Sequence, residues 1–335
     1  MLKAEQLSKT YETKDWAGLF RRKQNRVEAV KNVNLEMHQG QIIGLLGING
    51  AGKTTTIKML STLLLPSTGC ITVDGLDIVK DVMAVKKRIN MISGGERMLY
   101  WRLTARENLW YFGQLYNIDN KTLEKRINML LEKVGLSDKQ NIPVERFSKG
   151  MKQRLQIARG LINDPSYIFM DEPTLGLDAV IAKELREHVK QMAYQQGKSI
   201  LLTSHYIQEV EELCEYVYIL NQGEVIMKGT PKELALMGME SKTLCIELYS
   251  NHELLHASIL EACHEVEKDC NIHWDADNSR YTICSRKDVS NVVTKVLLDK
   301  QVPLKGFYLQ EPSLEDAIVK LSKNASKNTS TEVSA

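Results

Sequence analysis

The glycine-rich segment that ends at Thr54 contains the residue types that bind phosphate. It reads, in chain order, Gly47-Ile48-Asn49-Gly50-Ala51-Gly52-Lys53-Thr54. This segment matches the pattern G-x-x-x-x-G-K-[ST], and it lies between an apolar run at 41–46 and a helical pattern at 53–63. Glycines allow backbone N–H groups to curl around phosphate oxygens, and a helix N-terminus adds partial positive charge. The segment therefore predicts a nucleotide phosphate site, with contacts at Gly47, Asn49, Gly50, Ala51, Gly52, Lys53, Thr54 and Thr55.

Three polar residues further along the chain come at the ends of apolar runs: Asp171, Glu172 and His205. Because the carboxyl ends of parallel strands meet at one edge of a sheet, we expect all three beside the phosphate site. In phosphoryl transfer, a lysine reaches the β- and γ-phosphates, while a hydroxyl and a carboxylate hold Mg²⁺. These roles are predicted for Lys53, and for Thr54 with Asp171. Glu172 is expected to polarise the attacking water, and His205 is expected to face the γ-phosphate.

A largely parallel sheet is needed to position these groups. Apolar runs that suit strands buried on both faces occur at 41–46, 89–92, 167–171, 199–203 and 216–220. A hairpin turn at 221–223 leads into a further strand at 224–228. Between 104 and 162 the pattern is mainly helical, and Thr104 with Glu107 forms a capping box at its start. The predicted fold class is α/β, of the P-loop NTPase type.

A second domain is predicted beyond the breaks near residues 229–231 and 237–238. Residues 243–321 have the pattern strand, helix, strand, strand, helix, strand, helix, which indicates a small α+β domain. We place the domains at 1–238 and 239–321. The tail at 322–335 is rich in Ser, Thr, Asn and Lys and is expected to be disordered. Residues 12–26 interrupt the N-terminal β region and leave two interpretations open: a membrane-surface or partner-binding element, or a solvated loop.

The composition restricts the class of protein. Lys+Arg 44 against Asp+Glu 42 is nearly balanced, so we expect no nucleic-acid partner. No apolar run approaches the length of a membrane span, and the N-terminus does not begin a secretion signal. The six cysteines are scattered without a Cys-x-x-Cys pair, which argues against a disulfide framework or a zinc site. These features predict a soluble protein of a reducing cytoplasm.

The order of the motifs resembles that of an ATP-binding cassette (ABC) ATPase, and the resemblance covers about residues 1–230. It rests on the P-loop, the Asp171-Glu172 pair, His205 and a segment similar to the D-loop, Leu175-Gly176-Leu177-Asp178. The family signature begins a helix some two dozen residues before the aspartate. At that position this chain has a degenerate form of the signature, Ser148-Lys149-Gly150-Met151 after Phe147. Lys149 and Met151 depart from the family pattern, and Lys149 either adds charge near the nucleotide or points away.

A second segment, Ile92 to Arg97, reads ISGGER and imitates the family signature LSGGQ. It lies ahead of the helical region, where members of the family have the Q-loop. Aligned on the segment that follows, the family's glutamine falls at Gly95. The resemblance therefore implies that a residue which touches Mg²⁺ or water is missing here. Glu96 is the nearest polar substitute, either as a metal ligand or as a solvated carboxylate.

Three other features have competing interpretations. The segment from His252 to His256 satisfies the zinc pattern H-E-x-x-H, but it lies in the first turn of a short helix outside any recognisable cleft, so no zinc is expected. Tyr11 resembles the family's adenine-stacking aromatic residue, and a surface tyrosine is the alternative. Six aromatic residues between 100 and 116 are predicted to form the core of the helical region, and the resemblance implies that this region also forms a groove that accepts a coupling helix, with different residues in the two roles.

The resemblance implies a peripheral protein at the cytoplasmic face of the cell membrane, with ATP and Mg²⁺ as its cofactors. It implies an ABC cassette with an antiparallel β subdomain and a helical subdomain at about 97–162. Two cassettes, as a homodimer or a paralogous heterodimer, sandwich two ATP molecules and energise a separate permease. The segment 311–316 is similar to the C-terminal extension of ATPase subunits from bacterial drug and antibiotic exporters. A non-transport ABC ATPase and a regulatory module that has lost hydrolysis are the alternatives.

Overall fold

A computed structural model describes residues 1–16, 22–93, 99–237, 242–249, 255–310, 313–315 and 317–318. The chain forms two compact units, Met1–Pro231 and Lys232–Ala335. This division falls seven residues before the boundary predicted after residue 238. The tail at 322–335, for which disorder was predicted, lies outside the described residues.

The first unit is built around a six-stranded sheet in the order β10-β9-β3-β8-β7-β6. Its strands are β3 Ile42–Gly47, β6 Ile89–Ser93, β7 Tyr167–Asp171, β8 Ser199–Thr203, β9 Tyr216–Asn221 and β10 Glu224–Gly229. Five strands are parallel, and β10 pairs antiparallel with β9. Every residue of β8 is buried. The predicted parallel sheet of a P-loop NTPase is thereby confirmed.

A four-stranded antiparallel sheet, in the order β2-β1-β4-β5, also belongs to the first unit. It consists of β1 Leu2–Trp16, β2 Arg22–Met37, β4 Thr68–Val73 and β5 Leu76–Asp77. The pairing of β1 with β2 continues through Tyr11 with Val27 to Trp16 with Arg22. The expectation that residues 12–26 interrupt this β region was wrong, because both strands extend into them. Residues 17–21 lie outside the described part of the chain.

Helices of the first unit cover the sheets and form the helical region. They are α1 Lys53–Leu60, α2 Val82–Arg88, α3 Ala105–Leu115, α4 Asn120–Lys133, α5 Lys149–Gly160, α6 Ala179–Tyr194 and α7 Ile207–Leu213. A further helix, α8 Pro231–Met237, begins at the division between the units. Helix α3 starts with the predicted capping box: the Thr104 hydroxyl accepts from Glu107 N at 3.2 Å, and the Glu107 carboxylate accepts from Thr104 N at 2.7 Å.

The second unit contains a four-stranded antiparallel sheet in the order β12-β13-β11-β14. Its elements are β11 Lys242–Leu248, α9 Leu255–Val266, β12 Asn271–Asp275, β13 Arg280–Ser285, α10 Ser290–Asp299 and β14 Leu304–Gln310. One apolar cluster joins the sheet to both helices, with Ile246, Ile259, Tyr281 and Val293 all fully buried. The described residues after β14 are helical at 314–315 and 317–318. The element order matches the predicted α+β pattern.

The described residues contain neither a membrane-spanning helix nor a cluster of metal-binding side chains. No helix among them is long and apolar enough to cross a membrane. They also contain no group of three or more His, Cys, Asp or Glu side chains placed to share a metal ion. His252 and Glu253 of the zinc-like pattern lie outside the described ranges, and His256 is in α9 with its ring 6.1 Å from the Tyr281 ring.

Candidate nucleotide-binding site

The loop between β3 and α1 can be made only with glycine at its two ends. The backbone φ is +154° at Gly47 and +101° at Gly52, a region that side chains disfavour. A Cβ at Gly47 would lie 2.3 Å from the Leu220 carbonyl oxygen, and one at Gly52 would lie 2.4 Å from that of Ala29. The loop is therefore pressed against neighbouring backbone. Within it the Ala51 amide donates to the Ile48 carbonyl at 3.1 Å, and a glycine-rich turn of this kind before a helix forms a cradle of N–H groups that fits phosphate.

Lys53 begins α1 and is 6% exposed. Its ammonium donates to the Gly47 carbonyl at 2.7 Å and to the Ile48 carbonyl at 3.2 Å. Burial lowers the pKa of Lys53, while the nearby carboxylates of Glu172 and Asp171 raise it, and the net shift is downward. The charge lies under the loop, where a nucleotide phosphate would be its natural partner.

The remaining P-loop residues differ in exposure. Asn49, Gly50 and Thr54 are exposed, Thr55 is half-buried, and Ala51 is buried. The exposed positions are open to a ligand from solvent, whereas Ala51 faces the protein core. We therefore expect the predicted phosphate contacts of this loop to be made by backbone N–H groups and by the exposed side chains.

A hydroxyl and a carboxylate are placed together at the end of β7. The Thr54 hydroxyl donates to Asp171 Oδ1 at 3.5 Å, across 117 residues of chain. Oxygen ligands of this kind suit Mg²⁺, which keeps several waters and binds through one or two carboxylates together with substrate phosphates. The two side chains thus fit the ion that the sequence predicted for them.

Glu172 and His205 form the second pair at this edge. His205 Nε2 lies 2.6 Å from Glu172 Oε1, with the histidine 38% and the glutamate 23% exposed. Glu172 has φ +50°, a conformation that is uncommon for a residue with a side chain. Its amide donates to the Thr203 carbonyl at 3.2 Å and to the Thr203 hydroxyl at 3.0 Å. The backbone is therefore held in this unusual geometry by the neighbouring strand.

Thr203, which was not among the predicted site residues, connects both carboxylate residues. Its hydroxyl donates to Asp171 Oδ1 at 2.8 Å while it accepts from Glu172 N. The position follows from strand register, since Asp171 on β7 lies beside Thr203 on β8. A signal existed in the sequence: Thr203 is a polar residue at the end of an apolar strand, two positions before His205.

We expect Thr203→Val to raise the Mg²⁺ concentration that gives half-maximal ATP hydrolysis by about 10-fold, since a supporting hydrogen bond to a metal-binding carboxylate is lost. The substitution keeps the shape of the side chain and removes its hydroxyl. The measurement is phosphate release against Mg²⁺ concentration at fixed ATP. Thr72→Val on β4 serves as the control. An unchanged Mg²⁺ requirement in Thr203→Val would show that Asp171 needs no such support.

The predicted signature lies at a helix N-terminus. Ser148 caps α5, and its hydroxyl accepts from Met151 N at 3.2 Å. A Cβ on Gly150 would lie 2.3 Å from Ile181 Cδ1, so α5 approaches α6 closely at this point. Lys149 points toward its own chain, where its ammonium donates to the Gly176 carbonyl. Lys149 was expected either to add charge near the nucleotide or to point away. In the structure its side chain contacts the D-loop segment of its own chain.

The look-alike ISGGER begins in a different setting. Ile92 and Ser93 belong to β6, and Ser93 pairs with Asp171 on β7. The Q-loop positions Gly95 and Glu96 lie outside the described residues. The described residue nearest to them, Ser93, is at the same sheet edge as the Asp171 carboxylate.

Two other predicted residues have defined surroundings. Asp178 caps α6, and its carboxylate accepts from Ile181 N at 3.0 Å. Tyr11 lies on β1, 38% exposed, with the Lys9 ammonium 5.7 Å from the centre of its ring. It pairs with Val27, two residues before the Ala29 carbonyl that abuts Gly52. The ring is therefore carried by the part of the antiparallel sheet that borders the P-loop.

The aromatic residues of the helical region fall into two sets. Phe112 and Tyr116 are half-buried, and burial raises the pKa of Tyr116. The exposed set, here called the aromatic face, is 37–48% exposed and consists of Tyr100, Trp101, Trp110 and Tyr111. Within it, the Tyr100 and Tyr111 rings meet edge to face at 4.8 Å. The core interpretation thus suits the first set, and an exposed surface suits the second.

The fold and this site define a P-loop nucleotide-binding protein. Residues 30–175 match the family model described as "ABC transporter". The chain is 46% identical over 220 residues to the "ABC transporter ATP-binding protein NatA" of Bacillus subtilis (strain 168), covering 66% of this chain and 89% of that protein. The chain belongs to the ABC transporter ATP-binding proteins, and it has the features of the subunit that binds ATP.

Two further likenesses extend this result. The "Linearmycin resistance ATP-binding protein LnrL" of the same organism is 33% identical over 325 residues, covering 96% of this chain and 98% of that protein. The solved structure of cbiO1 from Clostridium perfringens, titled as part of the ABC transporter complex cbiONQ, has a TM-score of 0.60 and 26% identity. It covers 70% of this chain and 89% of its own. The likeness to LnrL therefore spans both units.

Proposed function

We propose that this chain hydrolyses ATP and, as one of two cassettes, drives export through a separate membrane permease. The observation that carries the proposal is the contact of His205 with Glu172 at 2.6 Å, beside the carboxylate of Asp171. A carboxylate held in this way is suited to orient and deprotonate water. The glycine cradle and Lys53 supply the phosphate site next to it.

Hydrolysis is an in-line attack of water on the γ-phosphorus of ATP. Glu172 accepts the proton of the attacking water as the new O–P bond forms and the bond to the leaving ADP oxygen breaks. The Lys53 ammonium lies against the charge that develops on the phosphate oxygens. His205 holds Glu172 through Nε2 and faces the γ-phosphate. Thr54 and Asp171 would hold Mg²⁺, which would supply positive charge to the phosphate oxygens.

A second cassette completes each nucleotide site in this proposal. The N-terminus of α5, capped by Ser148, offers backbone N–H groups and partial positive charge to the γ-phosphate on the partner's P-loop. Gly150, which has no side chain, lets α6 pack closely against this end of α5. Because the Lys149 ammonium is already bonded to Gly176, we assign it a role within its own chain.

The aromatic face is proposed to accept a short helix of the permease. Its four rings are exposed on and next to α3, and aromatic grooves suit an amphipathic helix. The chain is thereby a peripheral protein of the cytoplasmic membrane face. The likeness to LnrL, whose name assigns that protein to linearmycin resistance, supports an exporter of drug-like or lipid-like substrates.

The proposal predicts ATPase activity that a membrane protein stimulates. Affinity capture of the tagged chain from solubilised membranes of its own organism is expected to bring down one multi-spanning membrane protein. Reconstitution of the two should raise phosphate release several-fold above that of the chain alone. Trp110→Ala is expected to abolish capture and stimulation while basal hydrolysis stays, because the ring is 48% exposed and outside the nucleotide site.

Tyr194→Ala is the matched control, since this tyrosine is 61% exposed on a different helix, α6. Full hydrolysis with no stimulation by any membrane protein would contradict the transport proposal and favour a non-transport ABC ATPase. ATP binding without phosphate release, with or without the membrane protein, would favour a regulatory module.

A further inference from the structure

Glu209 is a buried carboxylate that the proposed hydrolysis does not use. It lies on α7, four residues after His205, and is 4% exposed. Its Oε2 atom accepts hydrogen bonds from the Ser204 hydroxyl at 2.5 Å and from the Thr174 hydroxyl at 3.0 Å. Both donors are 3% exposed, so this is a closed polar cluster beneath the surface.

The two donors belong to the two segments that bear the hydrolytic pair. Ser204 precedes His205 directly, and Thr174 follows Glu172 by two residues. The Ser204 hydroxyl also accepts from Tyr206 N at 3.0 Å, so it fixes the backbone on both sides of the histidine. One carboxylate oxygen thus ties the segment after β8 to the segment after β7.

The cluster is costly for the stability of the fold. Burial raises the pKa of Glu209; the hydroxyls of Ser204 and Thr174 and the charge of Arg186 act against that shift, and Glu212 adds to it. Replacement of a whole buried polar cluster by apolar residues of similar volume is often neutral or favourable for stability. A role in stability alone therefore explains poorly why a carboxylate is here. Its hydrogen bonds with Ser204 and Thr174 indicate instead that Glu209 sets the relative position of the two segments that contain these residues.

We propose that Glu209 is a positioning residue for ATP hydrolysis, acting through Ser204 and Thr174. It holds the His205 segment and the Glu172 segment in one relative position, so that their side chains meet at 2.6 Å. Because Glu209 is 4% exposed, the proposal gives it no contact with the nucleotide. The inference rests on the proposed ATPase function, and it adds a residue on α7 to the machinery that prepares the site.

The test compares Glu209→Leu, which removes the acceptor, with Glu209→Gln, whose amide oxygen can accept from both hydroxyls. Glu209→Leu is expected to lower kcat about 10- to 100-fold with little change in the KM for ATP, since misplacement by about 1 Å can cost that much. Glu209→Gln should retain kcat within about 3-fold, because the acceptor atom remains. Glu212→Gln, which loses ion pairs with Lys190 and Arg186 and keeps both hydrogen bonds of Glu209, is the control.

Two smaller substitutions keep the proposal testable if Glu209→Leu fails to fold. Ser204→Ala and Thr174→Val each remove one bond to Glu209, and each should lower kcat with KM unchanged. If Glu209→Leu does fold, adding either substitution to it should lower kcat little further, because all three act through one oxygen. Equal losses in the Leu and Gln variants, or a normal kcat in Ser204→Ala and Thr174→Val, would overturn the proposal. If the wild-type protein releases no phosphate, the proposed ATPase function fails first, and the two failures are distinguishable.

Discussion

Glu172→Gln is expected to bind ATP with little change in affinity and to hydrolyse it about 10²- to 10⁴-fold more slowly, the usual range for loss of a general base. The substitution keeps the size of the side chain and one oxygen acceptor. It removes the negative charge and the ability to take a proton from water. The P-loop residues 47–54 are unchanged in the variant, so we expect their contacts with the β- and γ-phosphates to remain.

The local geometry makes this a test of chemistry more than of folding. The Glu172 amide remains bonded to Thr203 in the variant, so the unusual backbone at this position is still supported. The glutamine amide oxygen can still accept from His205 Nε2, which lies 2.6 Å from the carboxylate in the native protein. The variant therefore tests the hydrolysis step separately from nucleotide binding.

The measurement is phosphate release at saturating Mg²⁺ and ATP, together with equilibrium binding of a fluorescent ATP analogue. Glu187→Gln, an exposed glutamate on α6, is the matched control and should hydrolyse at the native rate. Near-native hydrolysis in Glu172→Gln would show that another group activates the water. Loss of nucleotide binding would instead show that the carboxylate is part of the binding site.

Much of the site could be predicted because its information is local. The glycines of the P-loop, the caps at Thr104 and Ser148, and the polar residues at strand ends are each encoded within a few residues. Parallel sheets bring the ends of their strands together, so the grouping of Asp171, Glu172 and His205 followed from the strand pattern. The same reasoning correctly separated the helix-capping Ser148 from Ser93, which lies in β6.

Register and side-chain direction could not be predicted in this way. Thr203 supports Asp171 only because β7 and β8 align these two residues, and one sequence does not report that alignment. Lys149 reaches Gly176 across 27 residues, which no local pattern predicts. The strands through 12–16 and 22–26 were missed because their sequence lacks an apolar alternation. Backbone hydrogen bonds between antiparallel strands do not require one.

The largest loss of nucleotide binding is expected for Lys53→Met. Methionine fills the same space, and its apolar end suits a position that is 6% exposed. The substitution removes the ammonium group, which donates hydrogen bonds to the P-loop carbonyls of Gly47 and Ile48. We expect kcat/KM for ATP to fall at least about 10²- to 10³-fold, as for other preorganised charges that face a transition state. ATP affinity should fall as well.

The free protein is expected to remain folded in this variant, since burial already disfavours the Lys53 charge and lowers its pKa. The midpoint temperature of thermal unfolding without nucleotide should therefore be unchanged or slightly higher. The increase in that temperature on addition of Mg²⁺ and ATP should be lost. Lys58→Met, an exposed lysine on the same helix α1, is the matched control for loss of positive charge. If Lys53→Met is still stabilised by ATP as much as the native protein, the ammonium is not the phosphate ligand. Phosphate binding would then rest on the backbone N–H groups of the loop alone.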